Sequence, residues 1–208
     1  MRVLAAVLAL ISGMAQAEGE RAGEFDYYVM SLSWSPTWCA LEGEERGSPQ
    51  CDKDFGWVLH GLWPQFESGW PSYCNTGERN PSRSDTSAQA DVFGSSGSAW
   101  HQWNKHGRCS GLSSSDYYAL SREAYARIDR PELLRKLDKS VRLPASVIEE
   151  AFLEANPEMA ADQITITCKA GRIQEARICL TRDLELRECG RDVRRDCSMR
   201  DALLDPIK

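Results

Sequence analysis

The order of apolar and polar stretches along the chain predicts its elements. Residues 25–34 are aromatic and apolar with little charge, which predicts a buried central strand. Residues 56–60 form a second apolar run, and we expect Gly61 to end this strand. His60 would then lie at the last position of a strand, facing a cleft. Taken alone, such a histidine is more often structural than functional.

After an irregular connection rich in Ser, Gly, Asn and Pro, the middle of the chain becomes helical in pattern. We expect helices at residues 99–106, 116–128 and 145–155, and a short amphipathic segment at residues 132–137. The serines at 113–115 offer N-caps for the second helix. In the third, Pro144 can occupy the first turn, and Ser146 and Glu149 have capping-box spacing.

Residues 164–168 and 172–180 predict a β-hairpin that turns through residues 169–171. Helices grouped between strands indicate an α+β domain, with a sheet flanked by helices. The charged segment 182–208 is expected to stay attached through its cysteines. No internal repeat and no second domain are evident, so residues 18–208 are predicted to form a single domain.

Residues 1–17 have the pattern of a secretory signal peptide. Arg2 precedes an apolar run at residues 3–11, and Ala15-Gln16-Ala17 forms a small-x-small cleavage site. The alternative, a membrane anchor, is disfavoured because the run is far shorter than the ~20 residues of a spanning helix. We therefore expect an exported mature chain beginning near Glu18, with no membrane association. The pattern does not choose between periplasm and medium.

Export affects the interpretation of the cysteines, of which there are eight. An even number in an exported chain favours four disulfides. The alternative, a zinc site, is disfavoured because no two cysteines have Cys-x-x-Cys spacing. The formal net charge of −6 argues against a broad basic surface for nucleic acid. Contacts to an RNA substrate would therefore be local and transient.

All three histidines of the chain lie in two short aromatic-rich segments, residues 57–64 and 100–109. On a helix with His101 at 0°, Lys105 lies near about 40° and His106 near about 140°. Gln102 falls on the same polar face, near about 100°.

The opposite face of this predicted helix carries Trp100 and Trp103, and we expect both indoles to anchor it in the core. Gly107 can end the helix, because glycine tolerates positive φ.

The two histidines of this helix suit an anionic substrate better than a metal ion. His101 and His106 diverge by about 140°, whereas a shared metal favours i and i+4 spacing. Neither histidine segment contains an Asp or Glu. One imidazole can take a proton while another gives one, and Lys105 can neutralise charge on phosphate oxygens. With Trp63 able to stack on a base, the combination indicates metal-free cleavage of a phosphodiester by the ribose 2′-hydroxyl.

Two segments carry a family resemblance. His-Gly-Leu-Trp-Pro at residues 60–64 and His-Gln-Trp-Asn-Lys-His-Gly-x-Cys at residues 101–109 resemble the two active-site segments of the ribonuclease T2 family, in the same order. Residues 25–39, residues 151–157 and the four C-terminal cysteines extend the resemblance over nearly all of the predicted mature chain.

The resemblance implies an α+β fold with a central antiparallel sheet. It also implies endonucleolytic cleavage of single-stranded RNA with little base preference. The first step makes a 2′,3′-cyclic phosphate and a free 5′-hydroxyl, and the second, slower step hydrolyses the cycle to a 3′-phosphate. It implies no metal and no cofactor. RNA is then the expected partner of a monomer that needs no obligate protein partner.

Site residues and disulfides follow from the same resemblance. The roles it implies are His106 as the base that takes the 2′-hydroxyl proton, His60 as the acid that protonates the leaving 5′-oxygen, His101 as a phosphate ligand, Lys105 as stabiliser of the phosphorane, Trp63 as a base-stacking residue and Gln65 as a further substrate contact. The disulfides it implies are Cys39–Cys51, Cys74–Cys109, Cys168–Cys197 and Cys179–Cys189.

One departure from the family pattern concerns Gln102, where many members carry Glu. An amide cannot raise the basicity of a neighbouring histidine, but it can donate a hydrogen bond to a phosphate oxygen. We therefore count Gln102 among the catalytic residues and expect retained activity with a pH optimum shifted from the family's acidic range. Arg108, often Thr in the family, either attracts substrate or is only solvated. Residues 95–99 lack the aromatic that some members offer at a second base site.

Two other functions compete with catalysis of this kind. A catalytically weakened binding or effector protein could keep the fold, but the presence of all three histidines and Lys105 argues against it. A metal-dependent phosphoesterase is disfavoured by the absence of carboxylates from the two histidine segments.

Overall fold

One six-stranded sheet organises the part of the protein that the structure describes. The computed structural model describes residues 20–207, so the predicted signal peptide lies outside the described residues. The strands are β1 (Tyr27–Trp34), β2 (Trp57–Gln65), β3 (Val141–Leu143), β4 (Ile164–Lys169), β5 (Arg172–Leu180) and β6 (Ala202–Leu204). The order is β2-β1-β5-β6-β3, and β4 pairs with β5 off this path. Every strand pair in the described sheet is antiparallel except β5–β6.

In the described part of the chain, six α-helices accompany the sheet and confirm the predicted α+β fold. They are α1 (Ser35–Trp38), α2 (Arg83–Ser87), α3 (Ala90–Phe93), α4 (Ser96–Lys105), α5 (Ser114–Arg127) and α6 (Ala145–Ala155). Short 3₁₀ segments include Glu132–Lys136, where an amphipathic segment is predicted. Within residues 20–207, no helix has the length and apolar character needed to cross a membrane.

Strand β1 lies between β2 and β5, and all eight of its residues are buried. The predicted buried central strand is therefore confirmed, with its start at Tyr27. The predicted hairpin is also confirmed as β4 and β5, which pair through a two-residue turn. Ala170 and Gly171 both have positive φ, as a two-residue hairpin turn of this kind requires. Strands β3 and β6 are short, and the sequence pattern does not predict them.

The prediction that Gly61 ends the second strand is wrong, because β2 continues to Gln65. The pairing of β2 with β1 shifts register here, since Ser31 pairs with Gly61 while Leu32 pairs with Leu59. His60 is therefore the extra residue of a β-bulge, a device that re-aims a side chain. Gly61 is needed for space, because a Cβ at this position would lie 2.3 Å from the side-chain oxygen of Gln102.

Serine side chains cap α5, as predicted, and α4, whereas the capping box predicted in α6 is absent. The Ser113 side chain caps α5 and accepts a hydrogen bond from the backbone N–H of Asp116 at 3.2 Å. Ser95 caps α4 in the same way. The predicted capping box in α6 is absent, because α6 begins at Ala145 after Pro144 and Ser146 already lies inside the helix.

The core lies between the sheet and the helices, and it is rich in aromatic side chains. Trp57 packs edge-on against Phe152 of α6, with ring centroids 5.3 Å apart. Trp103 of α4 is fully buried and packs against Tyr117 of α5 at 5.9 Å. This packing fixes α4 against the sheet, so the polar face of α4 has a defined position.

Four disulfides staple the fold, and they join the same pairs that the family resemblance implies. They are Cys39–Cys51, Cys74–Cys109, Cys168–Cys197 and Cys179–Cys189. Cys74–Cys109 ties the loop after β2 to the segment that follows α4. Cys179–Cys189 ties the C-terminal segment to β5, as expected from its cysteines.

Candidate active site

Two adjoining cavities meet at the bulge of β2 and the polar face of α4. The first has a volume of about 310 Å³ and the second about 630 Å³. Five residues line both cavities: His60, His101, Gln102, Gln174 and Glu175. The structure thus brings all three histidines to one place, since His106 lines the first cavity as well. Lys105, Trp63 and Gln65 line it too.

His60 is held by a carboxylate that lies in neither histidine segment. Its Nδ1 lies 2.6 Å from Oε1 of Glu175. Because an ionised carboxylate has only acceptors, Nδ1 carries the hydrogen and donates it. Nε2 is therefore the ring nitrogen available for proton transfer. The side chain of His60 is 41% exposed, so it opens to the cavities while Glu175 lies behind it.

Glu175 belongs to β5 and only 2% of it is exposed. Its other oxygen, Oε2, accepts hydrogen bonds from Arg177 Nε at 3.0 Å and Nη2 at 2.7 Å. Burial by itself raises the pKa of Glu175, but the hydrogen bond to His60 and the charges of His60 and Arg177 outweigh it and lower the pKa to about 2.

The two histidine segments contain no carboxylate, but the fold brings one to His60 from β5. The spacing of Glu175 and Arg177 in the predicted strand is the sequence feature that could have revealed the pair, because residues two apart share a face.

His106 lies in very different surroundings. Helix α4 ends at Lys105, so His106 is its C-cap instead of its last residue, and its backbone N–H donates to the Gln102 carbonyl at 2.9 Å. The side chain is buried, and its Nδ1 has no hydrogen-bond partner within residues 20–207. Burial is the main cause that lowers the pKa of His106 to about 3, and the positive charges of Lys105, His60 and His101 act in the same direction. His106 is therefore neutral at ordinary pH.

His101 is one turn before Lys105 on α4. Burial is the main cause that lowers the pKa of His101, and the charges of Lys105 and His60 act in the same direction. Both residues line the first cavity. Together they place cationic or hydrogen-donating groups along the wall that faces His60.

Trp63 connects the two catalytic candidates. Its ring stacks on His106, with centroids 5.1 Å apart at 26°, and meets His60 edge-on at 5.2 Å. Arg177 lies over the indole at 5.5 Å. The indole N–H donates to Oε1 of Gln102 at 2.8 Å. Trp63 therefore sets the positions of both histidine rings.

Gln102 is buried, with its side-chain carbonyl occupied by the Trp63 indole. Only its amide NH₂ group can then serve as the donor predicted for a phosphate oxygen. Gln65 is also buried, and its amide donates to the carbonyl of Pro64 at 3.0 Å.

Trp70, in the loop after β2, lines the first cavity and is 54% exposed, so its ring face is open to a partner. The C-terminal segment contributes Asp192, whose Oδ2 accepts from the backbone N–H of Gly69 at 2.6 Å. The sequence pattern placed neither residue in a site, because each reaches it only through tertiary folding.

Two expectations about the segment 100–109 need correction or refinement. Trp100 does not anchor the helix in the core, because it is 43% exposed; Trp103 alone does so. Helix α4 packs through the face of Ala99 and Trp103, and Trp100 falls outside it. Arg108 donates to the side-chain oxygen of Asn104 at 3.3 Å and lines neither cavity.

No group of three or more His, Cys, Asp or Glu side chains within residues 20–207 is arranged to hold a metal ion. What the site offers chemically is a neutral imidazole, an imidazole paired with a carboxylate, and a lysine beside them. Such a set can move protons and bind an anion.

The chain is similar to known proteins in fold and in sequence. The RNase-related protein from Calystegia sepium has a TM-score of 0.66 and 21% identity, with 88% of this chain and 97% of that chain covered. RNase NT, solved in complex with 5′-AMP, has a TM-score of 0.62 and 19% identity, with 86% and 97% covered. These two likenesses show the fold.

In sequence, a ribonuclease of Aeromonas hydrophila is 43% identical over 120 residues, which cover 58% of this chain and 54% of that protein. The chain thus spans about half the length of the curated relatives it matches first. The model of the Ribonuclease T2 family matches residues 25–189. The chain therefore belongs to the ribonuclease T2 family.

Proposed function

We propose that this protein is an endoribonuclease that cleaves single-stranded RNA through a 2′,3′-cyclic phosphate, with His106 as base and His60 as acid. The observation that carries the proposal is the contrast between the two imidazoles on one cavity. His106 is buried beside cations, which favours its neutral, proton-accepting form. His60 is bonded to an anion, which compensates the positive charge of a proton donor.

In the proposed first step, the 2′-oxygen forms a bond to phosphorus while the bond from phosphorus to the 5′-oxygen breaks. His106 takes the proton of the 2′-hydroxyl, and His60 gives a proton to the leaving 5′-oxygen. In the second step the two exchange roles, and water opens the cyclic phosphate to a 3′-phosphate. Each proton transfer contributes about 10²–10⁴-fold to the rate.

Lys105 and His101 are proposed to bind the phosphate from the α4 wall. A fixed ammonium close to the phosphorane is worth more in a partly enclosed cavity than in water. The NH₂ group of Gln102 is a further donor for a phosphate oxygen, held in place by its bond to Trp63.

The proposed substrate contacts include few groups that read a base. Trp63 is assigned the base-stacking contact and Gln65 a polar contact, and the half-exposed ring of Trp70 offers a second stacking face. Stacking tolerates any base, so we propose cleavage with little base preference.

We further propose that the protein is exported and acts as a monomer without a cofactor. Four disulfides suit an oxidising compartment, where they persist. Every group invoked in the reaction comes from one chain, so the proposed site needs no partner subunit.

One assay tests this function. The purified protein is incubated with single-stranded RNA in excess EDTA, and the products are analysed for 2′,3′-cyclic ends, with His106→Ala as the inactive control. We expect cyclic ends from the wild type that later become 3′-phosphates. Binding without cleavage would indicate an effector protein, and activity restored only by a divalent ion would indicate a metal-dependent phosphoesterase.

A further inference from the structure

Glu175 lies against the proposed acid although it belongs to neither histidine segment. It is the one Asp or Glu within residues 20–207 that is buried. A buried ionised carboxylate costs several kcal/mol unless it is paired and fully hydrogen-bonded. Here one oxygen is bonded to His60 and the other to Arg177. Each oxygen therefore has its own partner.

We propose that Glu175 is a positioning residue for His60, which orients the imidazole and balances its positive charge so that Nε2 presents a proton to the leaving 5′-oxygen. This inference rests on the proposed ribonuclease activity. The carboxylate that acts on the proposed acid then comes from β5. Position 102, where many family members carry Glu, has an amide in this chain.

The geometry favours this role over a purely structural one. Arg177 is one-third exposed, so water can solvate it and it has no need of a buried partner. The Glu175 oxygen that faces His60 makes a 2.6 Å contact, as short as charge-assisted hydrogen bonds are. The backbone of Glu175 is fixed on both sides, because it pairs with Ser33 of β1 and Thr167 of β4.

Proton balance is simple in this scheme. In the first step His60 loses the proton on Nε2 to the 5′-oxygen and becomes neutral. Its Nδ1 keeps its proton and continues to donate to Glu175, which stays anionic throughout. In the second step Nε2 takes a proton from water, and the same carboxylate stabilises the imidazolium that forms.

The test compares two substrates that share a nucleoside and differ in the leaving group. One is the dinucleotide UpA, whose 5′-oxygen needs a proton to leave. The other is uridine 3′-(4-nitrophenyl phosphate), whose leaving group departs as a stable anion without an acid. The kcat of transphosphorylation is measured for the wild type, Glu175→Gln and Glu175→Ala.

With UpA, Glu175→Gln is expected to lower kcat by about 10- to 100-fold, the usual effect of an outer partner that orients a histidine. Glu175→Ala is expected to lower it further, because glutamine still accepts the Nδ1 proton and alanine does not. With the aryl substrate, the kcat of both variants should fall much less. His60→Ala should show the same dependence on leaving group and little additional loss when combined with Glu175→Gln.

Glu42→Gln is the matched control, because Glu42 lines the second cavity and is paired with Lys169 and Arg46, and its charge acts on His60 only from a distance. Glu42→Gln should change kcat by the same factor for both substrates. Equal losses with both substrates in Glu175→Gln would mean a structural role, and no loss with UpA would mean no role; either result overturns the inference. If the wild type cleaves neither substrate, the proposed function itself fails, and this is seen before any variant is compared.

Discussion

The strand side and the helix side of the cavity supply their imidazoles with opposite surroundings. On the strand side, His60 sits in a β-bulge and is bonded to the buried carboxylate of Glu175. On the helix side, His106 follows α4. The ammonium of Lys105 and the protonated form of His101 both lower the pKa of His106. The strand side thus compensates the positive charge of an imidazolium, whereas the positive charges on the helix side disfavour an imidazolium. Under the proposed mechanism, the difference teaches that two identical side chains acquire acid and base roles from their environment.

Trp63 links the strand side of the cavity to the helix side. Its ring touches both imidazoles, and its indole N–H is fixed by Gln102. The ring therefore holds the two imidazoles at a fixed separation, although their surroundings differ.

Removing either imidazole should have the largest effect. His106→Ala and His60→Ala should each lower the rate of RNA cleavage by about 10²–10⁴-fold, because each removes a proton-transfer group. Initial rates on single-stranded RNA measure the loss, and circular dichroism checks that the fold is kept. A loss of less than about tenfold at both positions would contradict the acid and base assignments.

Lys105→Gln should remove charge from the helix side alone. We expect a loss in kcat of about 10²–10³-fold, because a donor aimed at the developing phosphorane is lost. The acid limb of the pH–rate profile should also move to higher pH, because Lys105 is one cause of the low pKa of His106. Lys139→Gln, an exposed change outside both cavities, is the matched control. An unmoved acid limb would argue that Lys105 does not act on His106.

The free energy of unfolding should depend on pH in a different range for each side of the cavity. The pKa of His106 falls from 6.5 to about 3 on folding, so the unfolded chain binds a proton there that the folded one does not. The free energy of unfolding therefore decreases as pH falls from 6.5 towards 3, by at most about 1.4 kcal/mol per pH unit for this proton. Glu175 acts with the same sign between 4.5 and about 2.

Urea unfolding at a series of pH values tests these pH ranges. His106→Ala should flatten the slope between pH 6.5 and 4.5, leaving the part due to His101, whose pKa is also lowered. Glu175→Gln should keep that slope and reduce the pH dependence of the free energy of unfolding between pH 4.5 and about 2. A slope in His106→Ala equal to that of the wild type would show that His106 is not neutral in the folded protein.

Gln102→Glu should have the smallest effect on rate, well below the about 10²-fold loss of a proton-transfer group. A carboxylate can still accept the Trp63 indole N–H, so the ring positions are kept. Its charge would favour protonated neighbours and move the acid limb to higher pH. Gln102→Leu, which removes the acceptor, is the contrasting variant and should lower kcat. An identical rate and pH profile in Gln102→Glu would leave Gln102 without a catalytic part.

Much of the fold can be predicted from local pattern. The apolar run of β1, the hairpin β4–β5 and the helix α6 follow from periodicity and turn residues, and the structure confirms them. The end of β2 could not be predicted, because a glycine that ends a strand and one that makes room for Gln102 look alike in sequence. Trp100 was misplaced for a similar reason, since a helical wheel does not tell which aromatic meets the sheet.

The sequence by itself determined the candidate acid, base and phosphate ligands, because all three histidines and Lys105 are confined to two short segments. Only the tertiary structure decided the surroundings of each histidine. Glu175 is 115 residues from His60, and they meet because β1 pairs with both β2 and β5. Such a contact depends on strand order and register, which no local pattern records. The surroundings on which the proposed acid and base roles depend are therefore a property of the fold.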